Sequence, residues 1–174
     1  MGYTTEFKGI GFWTEPPLRP EHRDFINAFA ERRHMMLDAS EIEAGPTRRA
    51  VGLDAGVGGT NVLEDDTFRG KPVHGEDGWS KRSSYVLDNN KPPPGVPGLW
   101  CQWVVDDNGH INWDGNEKFY NYLEWLSFLM ERYLKPWGYT LEGTLDWQGE
   151  DDDDFGRIIV TKNEITSVFQ WRGE

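Results

Sequence analysis

The stretch from Asp114 to Gly138 constrains the fold more than any other part of the chain. Phe119, Tyr122, Leu123, Leu126, Leu129, Met130, Tyr133 and Leu134 recur every three or four positions, which at about 100° per residue makes one apolar stripe. Asp114 followed by Glu117 predicts a capping box at the start. Lys135-Pro136 predicts the stop, because the proline ring clashes with the preceding turn, and Gly138 fits the left-handed exit. Glu124, Glu131, Arg132 and Lys135 take the opposite side, with Glu131 and Lys135 spaced as a surface ion pair. Such a helix needs a sheet beneath it. Trp125 and Phe128 break the division, lying at the flank and near the middle of the polar side. They are either covered by another loop, the reading favoured here, or are interface residues for a partner.

The flanking segments supply the strands. Residues 3–13 are rich in aromatic and β-branched residues and predict a first strand, ended by Glu15-Pro16-Pro17. Pro20 suits the first position of a helix whose inward stripe is Phe25, Ile26, Phe29 and Ala30, and whose basic end is Arg32-Arg33-His34. Leu99 to Val105 reads as a strand, with Trp100, Gln102 and Val104 on one side. Asp106-Asp107-Asn108-Gly109 then predicts a hairpin turn into a short return strand at 110–113. Tyr139, Leu141, Gly143, Leu145 and Trp147 alternate with Thr140, Glu142, Thr144 and Asp146, the pattern of a strand buried on one face only. A last hairpin folds Arg157–Thr161 onto Ile165–Phe169 around Lys162-Asn163. The expected fold is α+β: an antiparallel sheet with two main helices on one face, of the ferredoxin-like type, in a single domain spanning 1–174.

Residues 37–98 differ in kind. Pro, Gly, Asp and Asn recur with little periodicity, so this is a loop-rich insertion of the sort that carries function or moves. Its Gly56–Asn61 run matches neither phosphate-loop spacing. A formal charge of −12 disfavours a phosphate backbone or an anionic membrane as partner, since either calls for a basic patch. No apolar run reaches membrane-span length, and a cytoplasmic location is expected. Cys101, alone in the chain, reads as a small buried hydrophobe.

Chemistry is harder to place. His22, His34, His74 and His110 show no metal-ligand spacing, and no nucleophile motif occurs. The run Glu150-Asp151-Asp152-Asp153-Asp154 fails the calcium-loop pattern and reads as a solvated turn between strands. An oxygen-ligand cation site at Asp146 or Glu150, or acid/base work by Glu142 or Asp146, is not selected by anything in the sequence.

The segments Gly98-Leu99-Trp100-Cys101-Gln102-Trp103, Trp113-Asp114-Gly115 with Glu117-Lys118-Phe119-Tyr120, Leu134-Lys135-Pro136-Trp137-Gly138-Tyr139 and Trp147-Gln148-Gly149-Glu150-Asp151 carry a resemblance. Across residues 98–163 the chain resembles a family of small bacterial and bacteriophage hypothetical proteins. The resemblance implies a bacterial or phage origin and no particular activity or site.

The functional expectation is a non-enzymatic binding module that engages a protein or small ligand through the sheet face and the insertion. Trp100, Gln102, Glu142 and Asp146 are its candidate ligand-binding residues, and Trp125 and Phe128 its candidate interface. No catalytic residue, metal or cofactor is expected, nor a nucleic-acid or membrane partner. One alternative is an acidic inhibitor whose carboxylates (150–154, Asp65-Asp66, Asp106-Asp107) imitate phosphates toward a basic enzyme. The other is a small carboxylate- and metal-dependent hydrolase.

Overall fold

The structure, a computed structural model, describes residues 2–31, 34, 36–37, 86–88, 90–92 and 95–171. The chain falls into two compact units, Met1–Asn27 with Gln102–Glu174, and Ala28–Cys101. Most of the insertion, including Gly56–Asn61, Asp65-Asp66 and His74, lies outside the described residues.

In the first unit, β1 (Glu6–Glu15), β4 (Trp103–Val105), β5 (Ile111–Trp113), β6 (Thr140–Gln148), β7 (Phe155–Thr161) and β8 (Glu164–Phe169) form one sheet. Its order is β4-β5-β1-β6-β7-β8, and each neighbouring pair is antiparallel. The helices are α1 (Pro20–Ala30) and α2 (Tyr122–Leu129), the latter continuing as a π-helical segment, Met130–Leu134. The chain runs β1-α1-β4 and β5-α2-β6, so each crossover skips the one strand that pairs between its ends. That is the ferredoxin-like arrangement, with the β7–β8 hairpin added at the β6 edge. The α+β fold with both helices on one face of an antiparallel sheet is therefore the observed one. Among the described residues no helix is long and apolar enough to cross a membrane.

Alternation sets the faces. Leu141, Gly143, Leu145 and Trp147 are buried, whereas Glu142, Thr144, Asp146 and Gln148 are half-buried or exposed. Phe12, Trp103, Ile111, Leu126, Leu129 and Leu134 close the core on the helix side. Phe7 sits among Trp103, Trp113, Phe119 and Tyr122 in edge-to-face contacts, with centroids 5.0–6.1 Å apart, geometry that adds to simple burial. Near the start of β1 the register with β6 shifts between Lys8 and Gly11. There Gly11 has φ +87°, and a Cβ on it would lie 2.6 Å from the Ile111 carbonyl oxygen, so a larger residue would force β1 and β5 apart.

The helix start differs from expectation. α2 begins at Tyr122, and its N-cap is Asn121 in a left-handed conformation with no side-chain cap bond. Asp114 does not cap it; its Oδ1 accepts from the Asn116 amide at 2.8 Å, closing a local turn. The carbonyls of Asn116 and Glu117 accept from Trp113 Nε1 and Gln102 Nε2 at 3.1 and 2.9 Å, rather than entering a helix. Phe119 is still buried, reached from a loop.

The helix exit agrees with expectation. After Leu134 the chain turns over Lys135-Pro136, Gly138 has φ +94°, and Lys135 pairs with Glu131 at 2.9 Å. The π segment was not foreseen: the Lys135 amide reaches back five residues to Met130 O, and Tyr139 to Leu134 O, both at 2.9 Å.

Trp125 is fully buried and Phe128 is 7% exposed. Phe128 packs against the Trp125 and Tyr133 rings, and the Arg132 guanidinium covers it at 5.1 Å. The expectation that they form an interface is thereby corrected. Both are interior, and local packing outweighs their position on the helical wheel.

Of the second unit, the described parts include a short antiparallel pair, β2 (Met36–Leu37) with β3 (Val86–Asp88). His34 is buried, its Nε2 2.9 Å from the Phe29 carbonyl oxygen at the end of α1. That is the structural role expected of the last of the basic residues, at a helix's negative pole. Arg32 and Arg33 lie outside the described residues.

Candidate functional site

The helices cover one side of the sheet. Across the other, Lys8 of β1, Asp146 of β6 and Arg157 of β7 stand side by side, because Lys8 pairs with Asp146 and Asp146 with Arg157. Cross-strand neighbours of opposite charge attract. Arg157 donates from Nε to Asp146 Oδ1 at 2.5 Å and from Nη2 to Oδ2 at 3.1 Å, a two-pronged pair that holds both groups in one plane. These bonds to Asp146 raise the Arg157 pKa above its already high ordinary value, so the cation is permanent.

After β8 the chain turns back, and the Trp171 ring lies over Arg157, 4.7 Å from its guanidinium carbon. Trp171 Nε1 is buried without a hydrogen-bond partner among the described residues. A cleft of about 240 Å³ opens here, lined by Glu6, Lys8, Asp146, Gln148, Phe155 and Trp171 together with Trp147 and Gly156. Its charged members carry both signs. Among the described residues Lys8 forms no ion pair, while Asp146 and Arg157 hold each other.

The four residues singled out from sequence do not assemble. Asp146 lies in the cleft. Glu142 shares its face but stands further along β6, opposite Trp13, where its Oε1 accepts from the Lys162 amide at 3.0 Å and steadies the β7–β8 turn. Gln102 is buried, not on a wet face: its Nε2 donates to Glu117 O and its Oε1 accepts from Trp113 Nε1 at 3.1 Å. The strand expected from Leu99 begins only at Trp103, so the alternation that placed Gln102 beside the open face does not operate there. Trp100 is 47% exposed and belongs to the second unit, outside any strand. Whether the insertion roofs a cavity concerns residues outside those described.

Sequence reasoning missed Lys8, Arg157 and Trp171. Continuing the Asp146 alternation onto neighbouring strands would have found Arg157. The register shift in β1 hid Lys8, and Trp171 follows the last strand with no pattern to mark it.

The acidic turn is built rather than loose. The Gly149 amide donates to Asp154 O at 2.7 Å, and Gln148 Nε2 reaches Asp151 O and Asp154 O at 2.9 and 3.2 Å. The Thr4 amide donates to Glu150 Oε1 at 2.7 Å and Tyr3 Oη to Asp154 Oδ2. The hydrogen bond to Asp154 and its charge raise the Tyr3 pKa. Asp106 is likewise a turn former, its Oδ1 accepting the Asn108 and His110 amides at 3.0 Å each. Among the described residues no group of three or more His, Cys, Asp or Glu side chains is placed to hold a metal ion. Comparison with protein-family models, with curated proteins and with solved structures gives no match to this chain.

Proposed function

We propose that the protein is a non-enzymatic binding module that takes a segment of a protein partner on the open face of its sheet. The cleft at Lys8, Asp146 and Trp171 is the anchoring point. The observation that carries this is the Trp171 ring closing one wall of a charged recess on a face that the helices leave uncovered. Small-molecule pockets usually enclose roughly 300–1,000 Å³, and the cleft, at about 240 Å³ and open, suits one anchoring side chain better than a whole ligand. Charges of both signs, with Gln148 at the rim, favour a polar segment that carries donors and acceptors over a purely cationic or anionic one.

The acidic-inhibitor reading has less behind it. A phosphate mimic presents free carboxylates, and of this set Glu150, Asp154 and Asp106 are tied to the chain's own amides and to a tyrosine, which leaves the exposed Asp107 and Asp151–Asp153. A hydrolase built on Asp146 would need that carboxylate released from Arg157.

The test is selection from a displayed random-peptide library on the immobilised full chain, with bound peptides mapped by amide chemical shifts. Perturbations should cluster at Lys8, Asp146, Gln148 and Trp171, and Trp171→Ala and Lys8→Glu should each weaken binding about tenfold or more, as anchor residues do. No selectable peptide, or perturbations confined to the helices, would refute the proposal.

A further inference from the structure

The sheet ends at β8, and among the described residues no strand pairs with its outer edge. Such an edge presents unpaired N–H and C=O groups and is a template for another strand. The Gln170 amide donates to Phe155 O on β7, in the same unbroken register as the pairs from Gly156↔Phe169 to Thr161↔Glu164. Antiparallel ladders alternate direction residue by residue. The amides and carbonyls of Glu164, Thr166 and Val168 therefore point to β7, and those of Ile165, Ser167 and Phe169 point outward.

We infer that β8 pairs with β8 of a second copy, antiparallel about a two-fold axis at Ser167, to join two six-stranded sheets into one. Only this register brings all three outward-pointing residues into hydrogen-bonded pairs: Ser167 with Ser167 of the second copy, and Ile165 with its Phe169, twice. A continuous sheet also requires that paired residues share a face. Ile165, Ser167 and Phe169 do, since they are in register with Val160, Ile158 and Gly156.

The side chains suit the same register. Phe169, 61% exposed in the single chain, gains the half-buried Ile165 as a neighbour. Thr166 meets Val168 on the open face. The strand's one charge, Glu164, falls opposite Gln170, so no like charges oppose each other. At its ends the pairing carries the Lys162 turn of one copy toward the Gln170 end of the other, where Gln170 Nε2 holds the acidic turn through Asp153 O at 3.2 Å. A strand seam of this length is a small interface, so association should fall in the roughly micromolar range.

Sedimentation of the full chain at about 100 µM is expected to show a dimer. Ser167→Lys sets two cations face to face on the axis at an exposed site and should weaken dimerisation at least tenfold while leaving the melting temperature of the monomer unchanged. Ser167→Cys should cross-link on mild oxidation, because paired Cα atoms lie about 5.5 Å apart. Thr166→Cys, one step off the axis, should not, and buried Cys101 adds no background. A monomer at every concentration would overturn the inference. So would a dimer indifferent to Ser167→Lys that fails to cross-link through Ser167→Cys.

Discussion

The two sides of β6 do opposite work with adjacent residues. Leu141, Leu145 and Trp147 are closed off on the side facing the helices, while Glu142, Asp146 and Gln148 reach outward from the same strand. On the covered side stability comes mainly from apolar area and fit, with Phe12, Ile111, Leu126, Leu129 and Leu134 buried in the same core. On the open side the contacts are polar and part-exposed: the Asp146–Arg157 pair, Glu142 on the Lys162 amide, and Gln148 on backbone carbonyls. A change on the first side should therefore be felt as folding energy, and a change on the second as recognition.

The sharpest way to break this contrast is at the core. Leu141→Ala removes a fully buried side chain and should lower unfolding free energy by about 2–5 kcal/mol in urea titration; a neutral result would mean that the covered face is not packed as described. Gly156 stands opposite Trp147 on the covered side. A Cβ there would strike the Val168 carbonyl oxygen and come within 2.5 Å of Trp147 Cζ2, so Gly156→Ala should destabilise by roughly 1–3 kcal/mol, as overpacking does. An unchanged denaturation midpoint would show that β8 yields easily.

On the open side, Asp146→Asn breaks the pair with Arg157, whose side chains are 48% and 27% exposed. Part-exposed pairs of this kind are worth about 0–1 kcal/mol, so melting should barely move while binding of any selected peptide drops. A large loss of stability would place Asp146 with the core instead.

The smallest effect concerns His22. Its ring stacks on Trp137 at 4.0 Å, and its Nδ1 lies 2.7 Å from Tyr139 Oη. Burial lowers its pKa below the ordinary 6.5; Glu21 opposes this shift and Arg19 adds to it. With the folded value below the unfolded one, its contribution is complete above about pH 6.5 and fades as pH falls through the lowered value. Between pH 7 and 5 the wild type should lose slightly more melting temperature than His22→Gln; equal losses would contradict this.

Much of the framework was legible because local signals agreed with the global fold. Strict alternation from Tyr139 to Trp147 gave β6 and its faces, and Lys162-Asn163 gave a two-residue turn in which both residues have positive φ, 48° and 66°. Pro136 and Gly138 marked the end of the helix. The start is not legible locally, because Asp114 serves equally well in a turn, and only tertiary partners, Gln102 and Trp113, decide between the two uses. The site was legible at Asp146 alone. Lys8, Arg157 and Trp171 join it through strand pairing and a chain reversal, which are long-range facts that no local pattern carries.

The most direct test of the segregation of faces compares two neighbours. In separate proteins carrying Leu145→Cys and Asp146→Cys, thiol labelling is followed under native conditions, where Cys101, 1% exposed, is silent. The thiol at position 146 should react readily in the native protein, and that at 145 only once denaturant is added. Equal rates, or the reverse order, would contradict a sheet with one closed and one open face.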